Sequence, residues 1–103
     1  MKVKVPQNVR IGSFDYEIVS VPHLISDYRL LGQSLTEAQV IKIDPDTTLQ
    51  TKAQVIWHEI LHGISEVYGC GLDDSNIDRM AQGIASTLES DFGIELDWSE
   101  LEL

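Results

Sequence analysis

The stretch from Thr47 to Tyr68 constrains this chain most. Ala53, Ile56, Trp57, Ile60, Leu61, Ile64, Val67 and Tyr68 recur at i, i+3, i+4 and i+7. That is the period of an amphipathic helix with a wide apolar stripe, and a strand cannot carry it. Thr47 or Thr48 can cap its start, and Gly69-Cys70-Gly71 supplies residues that tolerate a left-handed C-cap. Inside this helix lies His58-Glu59-Ile60-Leu61-His62, an H-E-x-x-H pentapeptide holding two of the chain's three histidines. Positions i and i+4 share a helix face, so both imidazoles can grip one metal ion. Glu59 follows the first histidine and precedes the second by one turn, where a carboxylate can take a proton from a water on that metal. The plainer alternative is an exposed histidine pair with no metal.

The rest of the chain divides around that helix. Val9-Arg10-Ile11 and Phe14 to Val21 alternate about Gly12-Ser13, which predicts a β-hairpin ending at Pro22. From Pro22 to about Asp27 a short helix and a loop fit equally well. Tyr28 to Leu31 and Ala38 to Ile43 read as two further strands joined around Gly32, the second ending at the turn signal Asp44-Pro45-Asp46. A second helix starts near Asp73 to Ser75, with Ile77, Met80, Ala81, Ile84, Ala85, Leu88 and Phe92 facing inward. The short Gly69–Leu72 connection makes the two helices antiparallel neighbours. The expected fold class is therefore α+β: an N-terminal antiparallel β-sheet followed by two antiparallel helices, in one domain spanning residues 1–103.

The final segment, about residues 93–103, is acidic but carries Ile94, Leu96, Trp98, Leu101 and Leu103. A docked tail is the default, since Trp98 and the leucines would otherwise stand in water. A partner-binding segment and a disordered tail are the alternatives.

Charge and composition exclude some functions. A net charge of -10 argues against binding a nucleic-acid backbone. Residues 53–103 hold 11 of the 17 acids but only Arg79 among the seven bases, a field that favours divalent cations. No apolar run reaches the roughly 20 residues needed to span a bilayer, and Met1 to Pro6 lacks a signal peptide's apolar segment. With a single cysteine, Cys70, no internal disulfide can form, and a cytoplasmic location is expected.

Two histidines rarely hold zinc alone, and a catalytic zinc usually takes a third protein ligand at about 2.0–2.2 Å. Glu66 lies i+4 from His62 but about 12 Å along the helix from His58, so it cannot join both at one ion. Asp78, one turn into the second helix, is the preferred third ligand, although Ser75-Asn76-Ile77-Asp78 also reads as a capping box. Asp74 and Asp73 are the next candidates. Cys70 in its glycine turn more simply fits a C-cap, and His23 reads as a loop histidine.

The segments Gln39-Val40-Ile41-Lys42-Ile43-Asp44-Pro45, Trp57-His58-Glu59-Ile60-Leu61-His62-Gly63-Ile64 and Ile77-Asp78-Arg79-Met80-Ala81-Gln82-Gly83 together resemble the small zincin-like metallopeptidases of phages and prophages, distantly similar to the ImmA/IrrE type. The likeness covers most of residues 9–92, and only the H-E-x-x-H is highly specific. It implies a minimal zincin-like domain, zinc held by His58 and His62, Glu59 as general base, and an acidic third ligand that maps onto Asp78. It also implies a substrate strand laid along a sheet edge, here the segment ending at Ile43. Asp78 is shorter than the glutamate usual at such positions, so either the helices approach more closely or the third ligand is weak. With no second lobe or helix-turn-helix, substrate recognition would be minimal or supplied by a partner.

The leading expectation is thus a zinc-dependent metallopeptidase acting on a peptide or protein substrate, with no nucleic-acid or membrane partner. The competing one is a non-catalytic, zinc-stabilised interaction module binding a protein through its acidic tail. A metal-free adaptor is a third.

Overall fold

A computed structural model describes residues 1–24 and 32–101. Its elements are β1 (Lys2–Lys4), β2 (Asn8–Ile11), β3 (Phe14–Ser20), β4 (Gly32–Leu35), β5 (Val40–Ile43), α1 (Leu49–Tyr68), α2 (Asp74–Ser90) and β6 (Glu95–Asp97), then a single 3₁₀ turn at Ser99–Leu101. The architecture is α+β, sheet strands followed by two helices.

The main sheet has the order β2-β3-β5-β4. β2 and β3 form the expected hairpin about Gly12-Ser13, pairing Ile11 with Phe14 and Asn8 with Glu17. Along β3 the buried Tyr16 and Ile18 alternate with the exposed Asp15 and Glu17, as period-2 geometry requires. The sheet is mixed rather than purely antiparallel, because β5 runs parallel to β3. β4 lies beyond the place next to β3, and β5 returns antiparallel to it and fills the gap. β5 is therefore an interior strand, and β4 is the edge.

One local expectation fails here. Gly32 does not join two strands but opens β4, and the reversal falls at residues 36–39, where Gln39 takes φ +54°. The strand read over Tyr28 to Leu31 lies outside the described residues, as does most of the segment after Pro22. The described part of that segment is a turn at Pro22-His23, with His23 at φ +69°, followed by the buried and helical Leu24.

Helix α1 begins and ends where its chemistry dictates. The Thr48 side chain accepts from the Thr51 backbone N–H at 3.1 Å, and Gly69 closes the helix in the left-handed region. One side of α1 packs Val55 and Ile56 on the sheet residues Ile11, Tyr16, Ile18, Ile41 and Ile43. Another side meets α2, where Leu61 packs with Ile77 and Ala81. Met80 and Phe92, expected inside, are 43% and 65% exposed. Phe92 lies past the last turn of α2, so the helical stripe no longer steers it.

The C-terminal segment is docked as far as Leu101, and Leu103 lies outside the described residues. β6 pairs in parallel with β1, a strand that the Lys2-Val3-Lys4 alternation barely announces. Trp98 is 4% exposed and joins the main core together with Leu101. Gln7 Nε2 donates to the Glu100 carbonyl at 3.1 Å, fastening the tail to the chain start. Among the described residues no helix is long and apolar enough to cross a membrane.

Candidate metal centre

Helix α1 projects His58 and His62 from one face toward the start of α2. The two Nε2 atoms stand 3.0 Å apart. Asp74 Oδ1 lies 3.1 Å from His58 Nε2 and 2.9 Å from His62 Nε2. These three atoms form a compact triangle, and His58, His62 and Asp74 are the described residues whose donors group as a metal set.

The chemistry of this donor set fits zinc. Ligands bonded tetrahedrally at about 2.0–2.1 Å stand roughly 3.3 Å from one another, close to the edges seen here. Two imidazole nitrogens at this separation can share at most one proton. The remaining lone pair then faces the carboxylate oxygen, a repulsive arrangement unless a cation or a proton sits among them.

The third member of this donor group is Asp74, where the sequence favoured Asp78. The reason is where α2 starts. Asp73, not Ser75, is the N-cap, and its Oδ1 accepts from the Asn76 N–H at 2.7 Å. Asp74 is therefore the first helical residue. Because the helices are antiparallel, one turn forward on α1 meets one turn back on α2. Asp74 then faces His62, while Asp78 falls level with His58 and meets the other side of its ring. Asp78 Oδ1 lies 3.3 Å from His58 Nδ1, and Gln82 Nε2 donates to Asp78 Oδ2 at 2.8 Å. Such a carboxylate fixes the tautomer and orientation of a metal-binding imidazole. The short Asp side chain suffices at this level because the helices pack closely through Leu61, Ile77 and Ala81.

The other candidates lie elsewhere. Asp73 is engaged as the cap, Cys70 is exposed in its turn, and His23 is exposed in the turn after β3. Glu66 lines the same cleft as the histidines but does not join their donor group. Gln82 escaped the sequence reading, although its i+4 spacing from Asp78 is a recognisable helical pair.

Glu59 is 7% exposed, yet it lines the cleft beside the histidines. Burial raises its carboxyl above the usual range, the charges of His58 and His62 oppose that rise, and Asp74 adds to it. Asp74 behaves oppositely. Its hydrogen bond with His62, aided by His58, holds its carboxyl below the ordinary value and keeps it ionised.

The cleft has a volume of about 650 Å³ and is bounded on one side by β4. Two glycines let α1 pack closely on the sheet. A Cβ on Gly32 would stand 2.6 Å from Val55 Cγ1 and 3.0 Å from the Lys42 carbonyl oxygen, and one on Gly63 would stand 2.7 Å from Ile11 Cδ1. The sheet edge thus lies directly against α1. The segment ending at Ile43, expected to border the substrate, is one strand further in.

No protein-family model, curated protein or solved structure matches the chain. The functional reading rests on its own residues.

Proposed function

We propose that this chain is a zinc-dependent peptide hydrolase. The observation that carries the reading is the convergence of His58 Nε2, His62 Nε2 and Asp74 Oδ1 within 3.1 Å of one another, with the Glu59 carboxyl in the same open cleft. Zinc held there by His58, His62 and Asp74 would polarise a carbonyl and acidify a water.

The chain's own residues account for the other requirements. Glu59, on the turn between the two histidines, accepts a proton at its carboxylate and returns it to the leaving amine. Its burial keeps that proton affinity above an exposed glutamate's, which suits both transfers. Asp78 and Gln82 hold the His58 ring in one orientation. β4, the sheet edge beside the cleft, offers backbone N–H and C=O groups to an extended peptide, which would dock as an added strand. Among the described residues no helix could cross a membrane, and we place the protein in the cytoplasm, acting on peptide or protein substrates.

A purely structural zinc site is the rival. Such sites are closed and usually rich in cysteine. This one opens on a cleft, holds no cysteine among the described residues, and sets beside the histidines a carboxylate that a structural role does not need.

Glu59→Gln tests the reading. It keeps the side-chain shape and removes the proton acceptor, so zinc content and melting temperature should persist while hydrolysis falls by about 10²-fold or more. A variant that cleaves a wild-type substrate at the wild-type rate overturns the assignment.

A further inference from the structure

The carboxylates in the cleft are not equivalent. Asp74 is engaged with both histidines, Asp78 with His58 and Gln82, and Glu59 is buried. Glu66 also lines the cleft, is exposed, and has no hydrogen-bond or ion-pair partner among the described residues. No lysine or arginine among the described residues lines the cleft. Even with a dication at the histidine site the cleft stays net negative, and Glu66 is its exposed carboxylate without a partner among the described residues.

The direction of β4 tells which part of a substrate meets it. Gly32 lies beside Val55 and Glu59, and Ser34 lies beside Gly63, so β4 advances along α1 in the same sense as the helix. Two residues further, Thr36 and Glu66 flank one end of the cleft. A peptide added to the edge of β4 that is unpaired among the described residues pairs best antiparallel, which is the more stable ladder. Its N-terminal part then lies toward Glu66 and its C-terminal part toward Gly32. Glu66 stands one helical turn, about 6 Å, beyond His62, a distance covered by about two residues of extended chain.

We propose that Glu66 selects a lysine or arginine about two residues before the cleaved bond, so that the cleft takes basic peptide segments. This rests on the peptidase reading above. An ion pair as exposed as this one gives about a twofold to fivefold preference, weakened by salt.

The experiment has two arms. In the first, zinc-loaded wild type, Glu66→Gln and Glu66→Lys are incubated with a random peptide library, and cut sites are mapped by mass spectrometry. Wild-type sites should be enriched in basic residues one to three positions before the cut. That enrichment should vanish in Glu66→Gln and give way to acidic residues in Glu66→Lys. Wild-type cleavage without enrichment, or enrichment that survives Glu66→Gln, overturns the proposal. In the second arm, zinc-loaded Glu59→Gln is titrated with two labelled valine-rich peptides, one bearing an arginine in its N-terminal half and the other a glutamine there. The arginine peptide should bind about twofold to fivefold more tightly, and adding Glu66→Gln should equalise the two. Equal affinities before that change also overturn the proposal. A library left uncut by the wild type, beside a preference in binding, counts against the peptidase reading and supports Glu66 as the selector.

Discussion

Asp78 Oδ1 lies 3.3 Å from His58 Nδ1, on the opposite side of the ring from the atom that faces His62 and Asp74. This relationship separates two acids that the sequence offered for one role. Asp74 stands with both Nε2 atoms, and Asp78 orients a ring. Asp74→Ala should therefore cost more zinc affinity than Asp78→Ala, which should lose about 10–100-fold. Glu66→Ala should change it least. Competition with a chromogenic chelator ranks the three, and a larger loss at Asp78 than at Asp74 would invert the assignment.

The same comparison shows what was legible in the residues and what was not. His58, Glu59 and His62 announce themselves because a helix turns their i, i+4 spacing into one face. The hairpin, the Thr48 cap and the Gly69 cap are local signals and lie where expected. The choice between Asp74 and Asp78 depends on the helix register, which shifts when the cap is Asp73 rather than Ser75. The order of β4 and β5 depends on a crossover, and Gly32-Gln33-Ser34-Leu35 carries no alternation that marks an edge. The parallel pairing of Lys2–Lys4 with Glu95–Asp97 joins the two ends of the chain, beyond any local pattern.

Gly32 tests the contact between sheet edge and helix. Gly32→Ala would press a methyl against Val55 Cγ1 and the Lys42 carbonyl, with Glu59 Cγ 3.2 Å away. Overpacking of this kind costs about 1–3 kcal/mol. Urea denaturation should show that loss, and the added Val55→Ala should relieve part of the clash. Unchanged stability in Gly32→Ala would mean that β4 lies further from α1.

The docked tail predicts a core role for Trp98. Trp98→Ala should destabilise the domain by about 3–5 kcal/mol, as for other buried large aromatics. A loss below about 0.5 kcal/mol, the range of a surface substitution, would place the tail in solvent.

Tyr16 offers a test with the opposite sign. Its hydroxyl is buried and has no hydrogen-bond partner among the described residues. Tyr16→Phe removes that group while keeping the ring, so stability should hold or rise by up to about 1 kcal/mol. A loss above 1 kcal/mol would show that the hydroxyl has a partner in solution.

The most direct test of the metal centre is the zinc content of the chain purified under zinc-replete conditions, beside His58→Ala and Asp74→Ala. The account predicts one zinc per wild-type chain, a melting temperature that falls on chelation and recovers on re-addition, and strongly reduced zinc in both variants. Wild-type protein that holds no zinc, and whose melting temperature is indifferent to added zinc, would contradict it.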